Sequence, residues 1–599
     1  MTTNQNNERF VNPYNFVPLA AQCDKQNREV GCLTGKITCT LETLTPTFIP
    51  DGVDDEMFFH YPNDERPVIP GSEIRGMIRS VFEAAYNGCL SQINKKAFHR
   101  RSMDPKRPGL LYKTDRGWKL ESCERVMLNT SFQYDKVGKH GKYIKRSDIQ
   151  TGQTIYIKKS QQKYNKDKNR PYVVENYSLT YKEGYQKGIV YLAEPFGKKK
   201  HHESVFVKFE NNRKKEYLVE IPKLEIKRLR DVIALYHENR ERGNKINKKN
   251  TKKPYAINKE LLEKATVKNK LPVYYSQDKK GKISHLSPAV FSQEVFQNEL
   301  QDILKEQGDY TPCTCKNKLC PACHLFGFVN EKGIQASRLR FSDGIAEEGV
   351  SFLDKMTLPP LGEPKPGTVE FYTEKLGNDL YWTYDYKKVK GNRIPLKASD
   401  LKVRGRKFYW HHEPQIYPLK TKSKEEMETI IQPIDKGGRF TFTVYFERIT
   451  EHELDQLCNV LDINQSVQHA HKIGRAKPLG FGSIKINIKE IIVREIDYTS
   501  GTYAKEEKKR EAYTSWPIPN DSALLAILNY STFMGGNVVS YPKVETNQRS
   551  NEKPDKNDVA SHQWFNKNSD KKRKIERVLP TIAEEVSDNA RKWLKVKKL

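Results

Sequence analysis

The sequence predicts an α+β fold, a ferredoxin-like sheet with helices on one side, interrupted by long insertions. Two observations carry this. Strand and helix patterns fall in separated islands: a strand and a helix near the start, then a strand, a helix and a strand ending near residue 490. The stretches between them are polar, and no repeat of fixed period runs through them.

The elements follow in order. Ile37, Cys39 and Leu41 alternate with Lys36, Thr38, Thr40 and Glu42, the period of a half-buried strand. Ile69-Pro-Gly-Ser-Glu-Ile-Arg-Gly76 then opens a helix. Pro70 fixes one backbone angle, Gly71 frees the next, and the Ser72 hydroxyl is placed to cap the first turn. Ile74, Met77, Ile78, Val81, Phe82 and Ala85 recur at helical spacing as a core face. Arg75 and Arg79 lie four apart near the positive end of this helix, where cations do not offset the dipole and an anion is a natural partner. Phe440, Phe442, Val444 and Phe446 alternate with polar neighbours as a second strand. Thr450-Glu-His-Glu453 supplies a capping box before Leu454, Leu457, Val460 and Leu461. Ile484, Ile486 and Ile488 mark the last strand.

This organisation gives a core over 30–495, an insertion at 100–290 rich in Lys and Tyr, a second at 375–435, and an extension at 496–599. Lys158–Tyr172 and Lys245–Tyr255 read as exposed basic loops. The extension carries Trp564, Phe565 and the cluster Lys571–Lys574.

Lys and Arg number 104 against 75 Asp and Glu, a formal charge of +29, which implies a polyanionic partner. No run of about 18 apolar residues is present and the first residues lack an apolar signal core, so a cytoplasmic protein with no membrane partner is expected. Nucleic acid is then the expected polyanion. The 31 tyrosines, many interleaved with lysine, suit phosphate neutralisation combined with base stacking.

Four cysteines cluster as Cys313-x-Cys315-x4-Cys320-x-x-Cys323. Four thiolates close a tetrahedral shell around Zn²⁺, leaving no open position, so a structural zinc-binding segment is expected at 310–330. His324 is an alternative ligand made awkward by its adjacency to Cys323. A third signal, Gly474-Arg-Ala-Lys-Pro-Leu-Gly-Phe-Gly482, precedes the last strand. Its glycines admit backbone amides to an anion, Arg475 and Lys477 add charge, and Phe481 offers a stacking face. It lacks the Lys-Ser/Thr ending of a P-loop and leads into a strand, which disfavours nucleoside triphosphate binding.

In this order, IPGSEIRG, CPACHLFG followed by SRLRFSD, and GRAKPLGFGSIKI resemble the RAMP superfamily of CRISPR-associated proteins, in particular the backbone subunits of type III effector complexes. The resemblance covers residues 30–100, 310–372 and 437–490. It implies an RRM-like core holding guide RNA through Ser72, Arg75, Arg79, Arg338, Arg340, Arg475, Lys477, Gly480, Phe481 and Gly482. It implies complementary target RNA and other CRISPR effector subunits as partners. It also implies an acidic residue in the loop before the IPGS turn that cuts target RNA. Asp55 matches best in spacing and Asp54 next, with Mg²⁺ or Mn²⁺ as the ion for cleavage. His60 as a general base, in the manner of the CRISPR RNA-processing endoribonucleases, and a non-catalytic RNA-binding scaffold are the alternatives.

Overall fold

The structure is a computed structural model. It describes residues 9–131 (less 53, 95 and 103–105), 137–138, 141–163, 172–192, 202–209, 218–246, 259–277, 281, 283–361 (less 291, 316 and 360), 364–416 (less 378–380 and 391), 428–511 (less 498 and 504–507), 513, 521–541 (less 537–538), 544–545, 578–587, 594–595 and 597–598. Trp564, Phe565, Lys571–Lys574, residues 164–171 of the first basic loop and residues 247–255 of the second lie outside these residues. The chain divides into two compact units: Met1–Lys95, Leu300–Leu380 and Lys397–Leu599 form one, and Lys96–Glu299 with Tyr381–Leu396 form the other.

The first unit is built on β1 (Leu33–Thr43), β2 (Asp64–Ile69), α1 (Gly71–Ala85), the short α2 (Pro321–Phe326), β3 (Leu339–Phe341), β4 (Gly344–Ala346), β5 (Arg439–Ile449), α3 (Glu451–Leu461) and β6 (Ser483–Asp497). In space the strands run β6–β1–β5–β4–β2, all antiparallel, with β3 also on β5. The period-2 patterns decide which side is core. Ile37, Cys39, Leu41, Phe440, Phe442, Val444, Phe446, Ile484 and Ile486 are buried, while α1 and α3 contribute Ile74, Ile78, Phe82, Leu454, Leu457 and Leu461. α1 touches α3 and β3, and α3 touches β6, so the helices share one face of the sheet. Each such side chain contributes roughly 1.5–3 kcal/mol on burial.

The α3 capping box forms as its sequence predicts: the Thr450 hydroxyl accepts from Glu453 N at 3.1 Å and Glu453 Oε2 accepts from Thr450 N at 3.0 Å. The start of α1 differs from expectation. Its N-cap is Pro70, without a side-chain bond, and Ser72 is exposed inside the first turn. The acceptor is instead Asp343, whose Oδ1 takes the Gly71 N–H at 2.6 Å while the Tyr61 hydroxyl donates to Oδ2. A Cβ on residue 71 would lie 2.4 Å from the Phe341 carbonyl oxygen, so the β3–β4 turn crosses the helix start too closely for any side chain there. That crossing delivers a carboxylate to the positive end of the helix.

The second unit holds a closed five-stranded barrel of Glu124–Ser131, Tyr172–Ser178, Thr154–Lys163, Gln186–Tyr191 and His202–Val207. Its core includes Val126, Leu128, Ile155, Ile157, Val174, Val190 and Val205. Lys158–Lys163, read above as loop, is strand here. A five-stranded sheet, Leu218–Ile221, Gly117–Ser122, Arg107–Thr114, Leu271–Gln277 and Ile283–Ser287, packs its edge strand on the helix Lys223–Ile246. The hairpin Tyr386–Val389/Asn392–Pro395 joins this unit through Arg393–Glu294 at 2.6 Å, beside Arg228–Asp385 at 2.8 Å.

Within the first unit, Tyr14–Val17 pairs with Arg406–Tyr409, and the segment 578–587 returns to it. Asn15 Nδ2 donates to the Pro580 carbonyl at 3.0 Å and to Glu585 Oε2 at 2.6 Å, and Trp410 Nε1 donates to the same oxygen at 3.2 Å. Burial pushes the Glu585 carboxyl up to about 8, against the pull of these donors and of Arg404. Because the folded state holds this proton more tightly than the unfolded chain, its stabilisation is full at acid pH and is lost as pH rises. Stability is expected to fall by about 1.4 kcal/mol per pH unit between roughly pH 4.5 and 8 from this group. Denaturant melts across that window should show the slope in the wild type and a flatter one in Glu585→Gln.

Candidate functional site

Two constellations arise in the first unit. The first is the cysteine cluster. Cys320 caps α2, its Sγ accepting from Cys323 N at 3.4 Å, and Cys313 Sγ accepts from Cys320 N at 3.3 Å. The fourth thiol comes from just beyond α1: Cys89 Sγ lies 3.5 Å from Cys323 Sγ. The sulfurs of Cys89, Cys313, Cys320 and Cys323 all lie within 4.8 Å of one another and are buried. Cys315 is exposed and outside the set. Sulfurs sharing a zinc ion with bonds of about 2.3 Å sit only about 3.8 Å apart. Alternate residues of an extended chain are spaced by about 6.6 Å. The tight Cys-x-Cys pair is therefore a poor chelate, and Cys89 takes the place of Cys315. The set is able to hold a metal ion such as zinc. Hydrogen bonds from the neighbouring thiols pull Cys320 well below the ordinary thiol range. His324 is buried and turned away, its Nδ1 2.5 Å from Glu453 Oε1. Burial pushes the Glu453 carboxyl up, but the bonds from His324 and Thr450 outweigh it and hold it below its usual value.

Arg75 and Arg79 belong to this cluster. Arg75 Nη2 donates to the Phe326 carbonyl at 2.5 Å. Arg79 Nη1 donates to the Gly327 carbonyl at 2.9 Å, its Nε to Glu83 at 2.9 Å, and its Nη2 approaches Cys323 Sγ at 3.5 Å. Both guanidiniums also lie over the Phe326 ring. The anion expected for this stripe is supplied internally to Arg79 by Glu83, and Arg75 meets a backbone carbonyl instead.

The second constellation is the glycine-rich loop with the acidic loop. Gly474, Gly480 and Gly482 have φ of 74°, 92° and 75°, and a Cβ on them would lie 2.4, 2.6 and 2.0 Å from the carbonyl oxygens of Phe48, Glu413 and Ile473. These close approaches fix the loop: Arg475 N donates to the Phe48 carbonyl and Gly482 N to that of Pro46, each at 2.9 Å. Arg475 is thereby set against the loop Asp51–His60, its Nη2 3.7 Å from Asp55 Oδ1 with both side chains exposed. Asp54 is exposed and accepts from Glu56 N of its own loop at 2.9 Å. His60 Nδ1 is shared between the Phe58 carbonyl at 3.3 Å and Asp51 at 3.6 Å.

Phe481 is fully buried, so the stacking face expected of it is absent; the two flanking turns at Gly480 and Gly482 drive the ring inward. Two lysines that carry no motif lie in this region. Lys472 is half-buried and supports the loop, its Nζ donating to the carbonyls of Gly480 and Phe481 at 3.0 and 2.9 Å. Lys407 lies 4.0 Å from the centre of the Tyr14 ring. Burial, then repulsion from Lys477, pushes Lys407 down to about 8 and Lys472 well below the ordinary lysine range. Burial likewise lowers Lys477, with Glu73 opposing. Burial thus weakens the charge of these lysines, and Lys472 serves the loop through its hydrogen bonds to the Gly480 and Phe481 carbonyls. Arg338 is half-buried and donates to the Arg448 carbonyl at 3.1 Å, and Arg340 is exposed on β3.

The site residues expected from sequence therefore separate. Asp55, Arg475, Lys477, Gly480 and Gly482 gather at one loop system, Arg75 and Arg79 at the cysteine cluster, and Arg338 and Arg340 on the sheet. Among the described residues no helix is long and apolar enough to cross a membrane.

A search of curated proteins finds no match. The crystal structure of Csc2 from Thermofilum pendens is 14% identical over 29% of this chain and 36% of that one, with a TM-score of 0.13, a likeness too slight to argue from. The chain thus spans about a third of that protein's length. A family model described as RAMPs, RAMP superfamily, matches residues 40–307, which include the acidic loop, α1 and Cys89.

Proposed function

We propose that this protein is an RNA-binding subunit of a type III-like CRISPR ribonucleoprotein, cytoplasmic, working with other effector subunits. In this reading the sheet and its two helices are a ferredoxin-like, RRM-like core. Strand β1, helix α1, the short strands β3 and β4 with β5, helix α3 and strand β6 follow in that order, with β2 added before α1, and β6 lies beside β1. The cysteine cluster holds a structural zinc ion that joins the end of α1 to the segment before β3.

The single observation that carries the reading is the meeting of Arg475 with Asp55 across two loops. A cation beside an exposed carboxylate on a glycine-lined loop suits a phosphodiester: the guanidinium neutralises a phosphate while the carboxylate stands at the adjoining reacting atoms. Guide RNA lies along the loop with Lys477 and Lys407 adding charge, and complementary target RNA is cut beside Asp55. Mg²⁺ or Mn²⁺ supplies charge stabilisation at the scissile phosphate when bound. Asp55 then either helps hold that ion or orients the attacking 2′-hydroxyl. Asp54 and His60 bond within the loop and Glu56 pairs with Lys355, whereas Asp55 stands beside the cation that would hold the phosphate, which favours it for the role.

Fluorescence titrations of the purified chain with single-stranded RNA at several salt concentrations test the binding reading. Arg475→Ala is expected to weaken affinity and to lower the slope of log K against log salt by about 0.7. An unchanged slope would overturn the contact. Sequencing RNA that copurifies with the chain tests the partner: repeat-derived RNA is expected, and random cellular RNA would leave only a generic binder.

A further inference from the structure

The open face of the first-unit sheet, opposite α1 and α3, carries a second constellation. Registered pairing sets Arg340 of β3 opposite Tyr445 of β5, and Tyr445 opposite Lys36 of β1. Directly opposed residues in antiparallel strands project to the same face at about 4.5–5.5 Å between Cβ atoms. Arg340, Tyr445 and Lys36 therefore form a continuous row across three strands. Tyr445 is 46% exposed although its strand neighbours Val444 and Phe446 are buried. Two positions along, Glu447 of β5 and Arg494 of β6 lie on the same face by period-2 alternation. Thr38, Thr441 and Thr443 continue the face with small polar side chains beside the ring.

We propose that this row is a stacking platform for one base of single-stranded RNA, with Tyr445 against the base and Arg340 and Lys36 on the phosphates either side of it. It rests on the RNA-binding reading above and adds a contact separate from the glycine-rich loop. The occupant follows from the chemistry: an exposed phenol ring between two cations on a flat surface matches the alternation of base and phosphate in an unpaired strand. In a duplex the base faces are covered, and a peptide strand offers no alternating anion. Glu447 lies to one side of the row, so the strand runs from Arg340 to Lys36 across the sheet rather than along β5.

The test uses the full-length chain and two fluorescein-labelled probes, a uridine 15-mer and a 15-base-pair RNA duplex. Tyr445→Ala is expected to weaken binding of the single strand by about tenfold while leaving the duplex within about twofold. Tyr445→Phe, which keeps the ring and loses the hydroxyl, is expected to restore single-strand binding. Arg340→Ala should lower the salt slope by about 0.7, whereas Tyr445→Ala should leave it unchanged. Equal losses for both probes, failure of Tyr445→Phe to rescue, or single-strand affinity unchanged in Tyr445→Ala would each overturn the platform. If Arg475→Ala weakens binding and Tyr445→Ala does not, this inference falls alone. If the wild type binds neither probe, the RNA-binding reading falls with it.

Discussion

Cys89→Ser is expected to abolish stoichiometric zinc binding, while Cys315→Ser leaves it intact. The contrast is sharp because sequence spacing nominates Cys315 and the fold selects Cys89. Cys89 supplies a buried sulfur 3.5 Å from Cys323, whereas Cys315 is exposed. Zinc analysis of purified protein should give about one equivalent for wild type and Cys315→Ser, and below about half for Cys89→Ser. Arg79→Ala should fall between them. Its guanidinium reaches Cys323 Sγ and is the nearest charge to offset four thiolates on a divalent ion. Loss of such an outer partner weakens metal affinity by roughly 10–100-fold. A competition titration with a chelator ranks the three. Full zinc content in Cys89→Ser, or loss of zinc in Cys315→Ser, would refute the assignment.

Asp55→Ala is expected to remove target cleavage without removing RNA binding. Both Asp55 and Arg475 are exposed, so their contact contributes little to stability and the variant should fold normally. Taking a carboxylate away from Arg475 also removes repulsion toward phosphate, so affinity should hold or rise slightly. Cleavage of a complementary strand with guide RNA bound and Mg²⁺ or Mn²⁺ present should drop by roughly 10²-fold or more. Asp54→Ala should cleave at close to the wild-type rate, since Asp54 bonds its own loop. Cleavage that survives in Asp55→Ala, or is absent in wild type with guide, target and metal supplied, would leave the scaffold role.

Local patterns were legible in the sequence, and what tertiary contact decides was not. Period-2 alternation located β1, β5 and β6, and the capping box located α3, because each signal is written within a dozen residues. The α1 cap was misread for the opposite reason. Its acceptor, Asp343, is 272 positions from Gly71, and nothing near residue 70 announces it. The metal set was three-quarters legible, since Cys313, Cys320 and Cys323 share a segment and Cys89 does not. Arg75 and Arg79 looked like anion ligands because helix spacing reports a stripe, not what the stripe meets. Lys407 and Lys472 were invisible, lying in no motif and defined only by burial. Phe481 was assigned to the surface because a Gly-x-Gly spacing says that the chain turns, not which way the ring goes.

The cysteine set has a consequence for connectivity. Cys89 and Cys323 are 234 positions apart, and nearly all of the second unit is threaded between them. A bound ion would therefore act as a clasp across a very long loop, one whose closure entropy grows only with the logarithm of its length. Strands β1 and β5 meet across an even wider gap, so their pairing is a slow search unless the ends are first drawn together. With metal present, a protease nick within residues 96–299 leaves both ends of the break tethered through the thiolates. The chain would then behave as a split protein whose two pieces stay joined both through the ion and through the pairing of β1 with β5 and β6.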